Sequence, residues 1–170
     1  MTEPQPATPD AALTARITAL PDAQAVRVLV LVLDEDRGGI DQLGLRKQEP
    51  ELREAVTDPA LSEYADPATA APDDGDLART TLLYLTDTQP RLAETIRWAL
   101  DLPAGDGNER FDPLTLAIGG LIVLALQTDV TLAKDTHGKW RFRLHKQPMK
   151  DSTLGTLLGK LIIAFGGGQH

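Results

Sequence analysis

Residues 128–146 alternate more strictly than any other stretch of this chain, and that alternation limits what they can become. In 128–134 (TDVTLAK) and 139–146 (KWRFRLHK) apolar and polar residues exchange at nearly every step, the period of a strand with one buried face. Between them lies Asp135-Thr-His-Gly138, a turn ending in the residue that tolerates positive φ. The two runs therefore read as a β-hairpin. Val130 and Leu132 share a face with Trp140, Phe142 and Leu144, the expected core side. Lys139, Arg141, Arg143 and His145 point the other way.

Both flanks change to helical spacing. Asp112 and Pro113 suit the N-cap and first position of a helix over 113–127. Its near-apolar run 114–126 would rise only about 20 Å at 1.5 Å per residue, against a hydrocarbon core of about 30 Å. A buried core helix is expected rather than a membrane span. Gly119 and Gly120 inside it cost about 1 kcal/mol each in helix propensity, and close approach of a neighbouring backbone is the expected offset. After the hairpin, Pro148 stops the strand and Asp151-Ser152 caps a helix. Leu154, Leu157, Leu158, Leu161, Ile162 and Phe165 recur every three or four residues on one face of it. That face is expected to pack under the hairpin against helix 113–127. Gly155 and Gly159 stand four apart and permit close helix contact.

The first two-thirds reads as helical. Leu13, Ile17 and Leu20 mark a helix over 10–20, and Pro21-Asp22 begins a second one. Val26–Leu33 (VRVLVLVL) is β-branched and alternating enough to leave helix and strand both open. Gly38, Gly39 and Gly44 place a connector over 38–50, with short helices at 50–57 and 59–65. Residues 66–75 form a loop. Asp73, Asp74 and Asp76 follow no D-x-D-x-D-G pattern and read as a solvated, N-capping segment. Helices are expected at 76–87 and 89–101, the second buried through Leu92, Ile96, Ala99 and Leu100 with Trp98 at its flank. The fold class is α+β, mainly α-helical, with a helix–hairpin–helix unit over 112–165. Residues 10–165 make a single compact domain, with a disordered tail at 1–9 and a flexible one at 166–170.

Chemistry-bearing residues are scarce. There is no cysteine, which removes disulfides, thiolate catalysis and Cys-based metal sites. Ser62 and Ser152 are the only serines, and His137, His145 and His170 are not paired at metal-binding spacing. No catalytic, cofactor or metal residues are assigned, and a non-enzymatic role is expected. The N-terminal Met1-Thr-Glu-Pro-Gln-Pro lacks the features of a secretory signal, so a cytoplasmic address is expected.

Charge is the informative property. Net charge is −8, unevenly spread: residues 1–127 carry 22 acids and 10 basic side chains, and residues 128–170 carry 3 acids and 7 basic ones. The overall acidity disfavours general nucleic-acid binding. The candidate interaction surface is Lys134, Lys139, Arg141, Arg143, His145 and Lys146 on the hairpin. It suits an acidic protein surface, including the acidic part of a second copy in a homo-oligomer. The alternative is a small regulator binding nucleic acid through the same face. Positive charge also blunts a strand edge against pairing.

The run Gly138-Lys-Trp-Arg-Phe, with His145-Lys146, Pro148 and Asp151-Ser152 before a Leu-rich helix, resembles the ends of small accessory modules of bacterial conflict and defence systems. The Ala-, Asp-, Arg- and Leu-rich body looks actinobacterial. The resemblance spans residues 112–165 and implies an adaptor that couples sensors to effectors without catalytic residues of its own.

Overall fold

The run Val26–Leu33 decides the architecture. In the computed structural model, which describes residues 11–65, 70–102, 118–145, 148–149 and 152–166, it lies within a sixteen-residue helix, α2 (Asp22–Arg37). All of it but Arg27 is buried. A helix satisfies its own backbone, so it can be apolar all round when other helices surround it. Here α4, α5 and α6 do so. The strand alternative is thereby resolved against. Gly38 ends α2 in the left-handed region, φ 71°, and its N–H returns to the Asp34 carbonyl.

In chain order, α1 (Ala11–Thr18) precedes α2, and α3 (Gln42–Ala55) follows it. A 3-10 turn (Pro59–Tyr64) then leads to α4 (Asp74–Thr88). A second 3-10 turn (Pro90–Leu92) runs into α5 (Ala93–Asp101). After these come α6 (Ile118–Leu126), β1 (Val130–Lys134), β2 (Trp140–Leu144) and α7 (Thr153–Leu161), which continues as a π-helical turn (Ile162–Gly166). The mainly helical α+β class expected from the sequence is the class observed. The tail at 1–9, the cap at Asp112-Pro113, the first turns of the expected helix 113–127, Asp151 and residues 167–170 lie outside the described residues.

The expected connector over 38–50 is confined to 38–41, and the rest of it is helix: α3 begins at Gln42 and runs through Pro50 without a break. Proline inside a helix costs about 3 kcal/mol, whereas burying a leucine contributes about 1.5–3 kcal/mol. Leu45, Leu52 and Ala55 are all buried, and α3 packs along α6. Tertiary burial therefore outweighs the local penalty. The contact is close because of Gly120. A Cβ there would stand 2.4 Å from the Leu45 carbonyl oxygen, which is the backbone approach expected from the glycine pair. Arg37 holds the far end of α6, donating to the Leu124 carbonyl at 3.0 Å.

Caps behave as their chemistry dictates. Asp73 accepts the Asp76 N–H at 2.8 Å and starts α4, and Ser152 accepts the Gly155 N–H at 3.0 Å and starts α7.

The placement of α7 departs from expectation. Its apolar face, Leu154, Leu157, Leu158 and Leu161, is buried against α4 and the first 3-10 turn rather than under the hairpin. A Cβ at Gly159 would meet the Tyr64 carbonyl at 2.3 Å, so backbone contact fixes the helix there. Lys160 adds an ion pair to Asp76 at 3.1 Å and a hydrogen bond to Thr80 at 2.8 Å. The π-helical turn approaches α6 through Phe165, beside Gly119. The parts of the 112–165 unit thus share one core with the N-terminal helices and pack chiefly on α3 and α4.

Candidate interaction surface

The hairpin is antiparallel, pairing Val130 with Leu144, Leu132 with Phe142 and Lys134 with Trp140. Side chains alternate across a strand, so these residues share one face, and Thr131, Ala133, Arg141 and Arg143 share the other. Val130 and Phe142 are buried, while Leu132, Trp140 and Leu144 are half-buried against the core. The inner set expected from alternation is therefore the observed one.

Two anchors hold the hairpin. At its base, Tyr84 of α4 is fully buried and its hydroxyl donates to Asp129. Burial, and then the Asp129 hydrogen bond and charge, push the phenol above its ordinary range. The Asp129 carbonyl also accepts the His145 N–H at 2.9 Å. At the turn, Gly138 takes φ 79°, and the Asp135 carboxylate accepts the N–H groups of His137 at 2.8 Å and Lys139 at 3.0 Å. The Arg141 Nε donates to the same carboxylate at 2.6 Å. The Arg141 bond first, and the Lys139 N–H next, hold Asp135 at about 2, below its ordinary 3.8. Arg141 also pairs with Asp58, just beyond α3, at 3.0 Å. Its guanidinium is raised above its usual range by Asp135 and then Asp58.

The six basic side chains named from the sequence therefore have different situations. Arg141 is tied by two carboxylates. Lys134 lies on the Trp140 face, its ammonium 5.5 Å from the ring centroid, where a cation–π contact holds it. The His145 Nε2 is 2.8 Å from the Thr131 hydroxyl across the ladder. Lys146 lies outside the described residues. Lys139 and Arg143 are exposed and make no ion pair among the described residues. They stand on one face four residues apart, about 13 Å at strand rise.

Sequence reasoning missed Asp58, Asp129 and Tyr84. Tyr84 sits seven residues after Leu77, which marks it as a core position. Nothing local to Asp58 or Asp129 shows that a partner 83 or 45 residues away in the chain will meet it. Among the described residues no cluster of His, Cys, Asp or Glu could hold a metal, and no helix is long and apolar enough to cross a membrane.

No family model, curated protein or solved structure matches the chain. The surface itself must carry the functional reading.

Proposed function

We propose that this chain is a non-enzymatic, cytoplasmic protein-interaction module that docks an acidic protein surface through the outer face of its hairpin. The observation that carries this reading is the pair Lys139 and Arg143, exposed and without acidic partners among the described residues on a hairpin anchored at both ends. Long charged side chains lose less entropy on binding when the backbone beneath them is already ordered. Arg141, held by Asp135 and Asp58, fixes the orientation of that face. The rest of the chain is acidic, which suppresses unspecific attraction to polyanions. An adaptor of this kind agrees with the bacterial defence modules that residues 112–165 resemble, and a second copy's acidic helices are one such surface.

The test is charge reversal at Lys139→Glu and Arg143→Glu together, both away from the anchors. The mass in solution is measured by light scattering at about 50 mM and 500 mM salt, where the Debye length falls from roughly 14 to 4 Å. Binding of a short labelled peptide alternating Val and Glu is measured by fluorescence anisotropy. The reading predicts salt-sensitive binding or assembly that the double variant loses. Identical behaviour of wild type and variant in both assays would refute it. Retention of duplex or single-stranded nucleic acid at low salt, lost in the same variant while peptide binding is absent, would replace the partner class.

A further inference from the structure

We infer that the outer edge of β1 is a docking site for an extended acidic segment of a protein partner, which joins the hairpin as a third strand. This rests on the reading above and specifies the form in which the partner binds.

The hydrogen-bond phase of the hairpin is fixed at both ends. The Asp135 N–H donates to the Lys139 carbonyl at 2.8 Å, and the His145 N–H donates to the Asp129 carbonyl at 2.9 Å. In an antiparallel ladder bonded and non-bonded pairs alternate. The bonded rungs are therefore the odd-numbered pairs, Thr131 with Arg143 and Ala133 with Arg141. It follows that the N–H and C=O groups of Val130, Leu132 and Lys134 point outward from β1, and those of Trp140, Phe142 and Leu144 outward from β2. Among the described residues none of the six makes a backbone hydrogen bond outside the hairpin.

The two edges differ in access. Arg141 reaches round to Asp58, and α3 packs chiefly on β2, so the end of α3 borders that strand. Among the described residues, what borders β1 is chiefly α6, the helix that leads into it. Val130, next to α6, is buried, Leu132 is half-buried and Lys134 is exposed. The less buried part of β1 among the described residues is thus Leu132–Lys134, with outward donors and acceptors two residues apart. An added strand uses that spacing.

Charge selects the occupant. The outward side chains of β1 are the small Thr131 and Ala133, and Arg143 stands directly across the ladder from Thr131. A strand added beside β1 lies about 4.8 Å from it and about 9.6 Å from β2. An arginine and a glutamate side chain together span that second distance past Thr131, whose hydroxyl meets the His145 imidazole. A carboxylate there would give Arg143 the counter-ion it lacks among the described residues. A second copy's β1 offers only Thr131 and Ala133 on that face, with no acid to meet Arg143, so the self-paired arrangement leaves both arginines uncompensated.

The probe is the labelled Val–Glu peptide, titrated into the full chain. Lys134→Pro removes one outward N–H without touching a ladder rung, since proline is tolerated at an edge whose N–H faces solvent. Lys134→Ala keeps the N–H and removes the charge. The inference predicts that the proline variant binds about ten-fold more weakly, the loss of one net hydrogen bond, and that the alanine variant stays within about two-fold. In the unaltered protein, peptide binding should slow hydrogen exchange at the Leu132 and Lys134 amides, a readout that does not depend on how the proline variant folds. If Arg143→Glu abolishes binding while Lys134→Pro and the two amides are unaffected, strand addition is wrong and charge docking stands. If Lys139→Glu with Arg143→Glu leaves the affinity unchanged, the docking reading itself fails. A doubled mass that Lys134→Pro abolishes would overturn the acidic occupant in favour of a second copy.

Discussion

Replacing Gly120 by alanine tests whether α3 and α6 are in backbone contact. On helix propensity alone the change stabilises by about 1 kcal/mol. The structure opposes that gain. The new Cβ would lie 2.4 Å from the Leu45 carbonyl oxygen and 2.8 Å from its carbonyl carbon and Cα. These are backbone atoms in mid-helix that cannot rotate away. An ordinary contact begins near 3.4 Å, so the helices must part by about 1 Å. A radial gap of that size forfeits up to about half of the dispersion well for each contact along the seam, and overpacking of a well-packed core typically costs about 1–3 kcal/mol. Leu45, Leu52 and Leu121 all lie within that core. The expected net effect is a loss of up to about 2 kcal/mol, or a melting-temperature drop of up to roughly 8 °C for a chain of this size. Gly119→Ala is the internal comparison, because its Cβ meets side-chain atoms, Leu52 Cδ2 at 2.8 Å and Phe165 Cζ at 3.2 Å, which can shift. Urea unfolding followed by circular dichroism gives both values. A Gly120→Ala protein more stable than wild type, as helix propensity alone demands, would refute the backbone contact and with it the account of why α3 persists through Pro50.

Three further outcomes follow from the anchors and caps. Tyr84→Phe removes the donor to Asp129 at the hairpin base and should cost about 1.5–3 kcal/mol, the usual value for a hydrogen bond to a charged group; a change under about 0.5 kcal/mol in urea unfolding would show the pair to be inert. Asp135 is held at about 2 against an ordinary 3.8, so the folded chain binds its proton less readily than the unfolded one, and its contribution is complete above pH 3.8 and lost as pH falls towards 2. Arg141→Met should therefore lose less stability than wild type between those pH values, and parallel pH profiles of the two proteins would contradict the assignment. Asp73→Ala and Ser152→Ala should each cost about 1 kcal/mol and be additive in the double variant, because they cap different helices; marked non-additivity in denaturant midpoints would count against independent caps.

The sequence alone determined what depends on neighbours a few residues away. Alternation placed Val130, Leu132, Trp140, Phe142 and Leu144 on one face of a hairpin closed at Gly138. Side-chain capping chemistry marked the segment of Asp73, Asp74 and Asp76 and the pair Asp151-Ser152 as helix starts, and a glycine pair in an apolar helix signalled close backbone approach. Only the tertiary structure decided the rest. It set α3 through Pro50, where burial of Leu45 and Leu52 against α6 outweighed a local penalty. It made α2 a helix, because Val26–Leu33 is surrounded by helices and not by strands. It laid α7 on α4, since an amphipathic face records that it is covered but not by what. It also divided the basic residues, tying Arg141 to Asp58 and Asp135 and leaving Lys139 and Arg143 exposed. The physical reason is one of range. Periodicity and capping act within a turn or a rung, whereas ion pairs and helix contacts are set by which distant segments the core brings together.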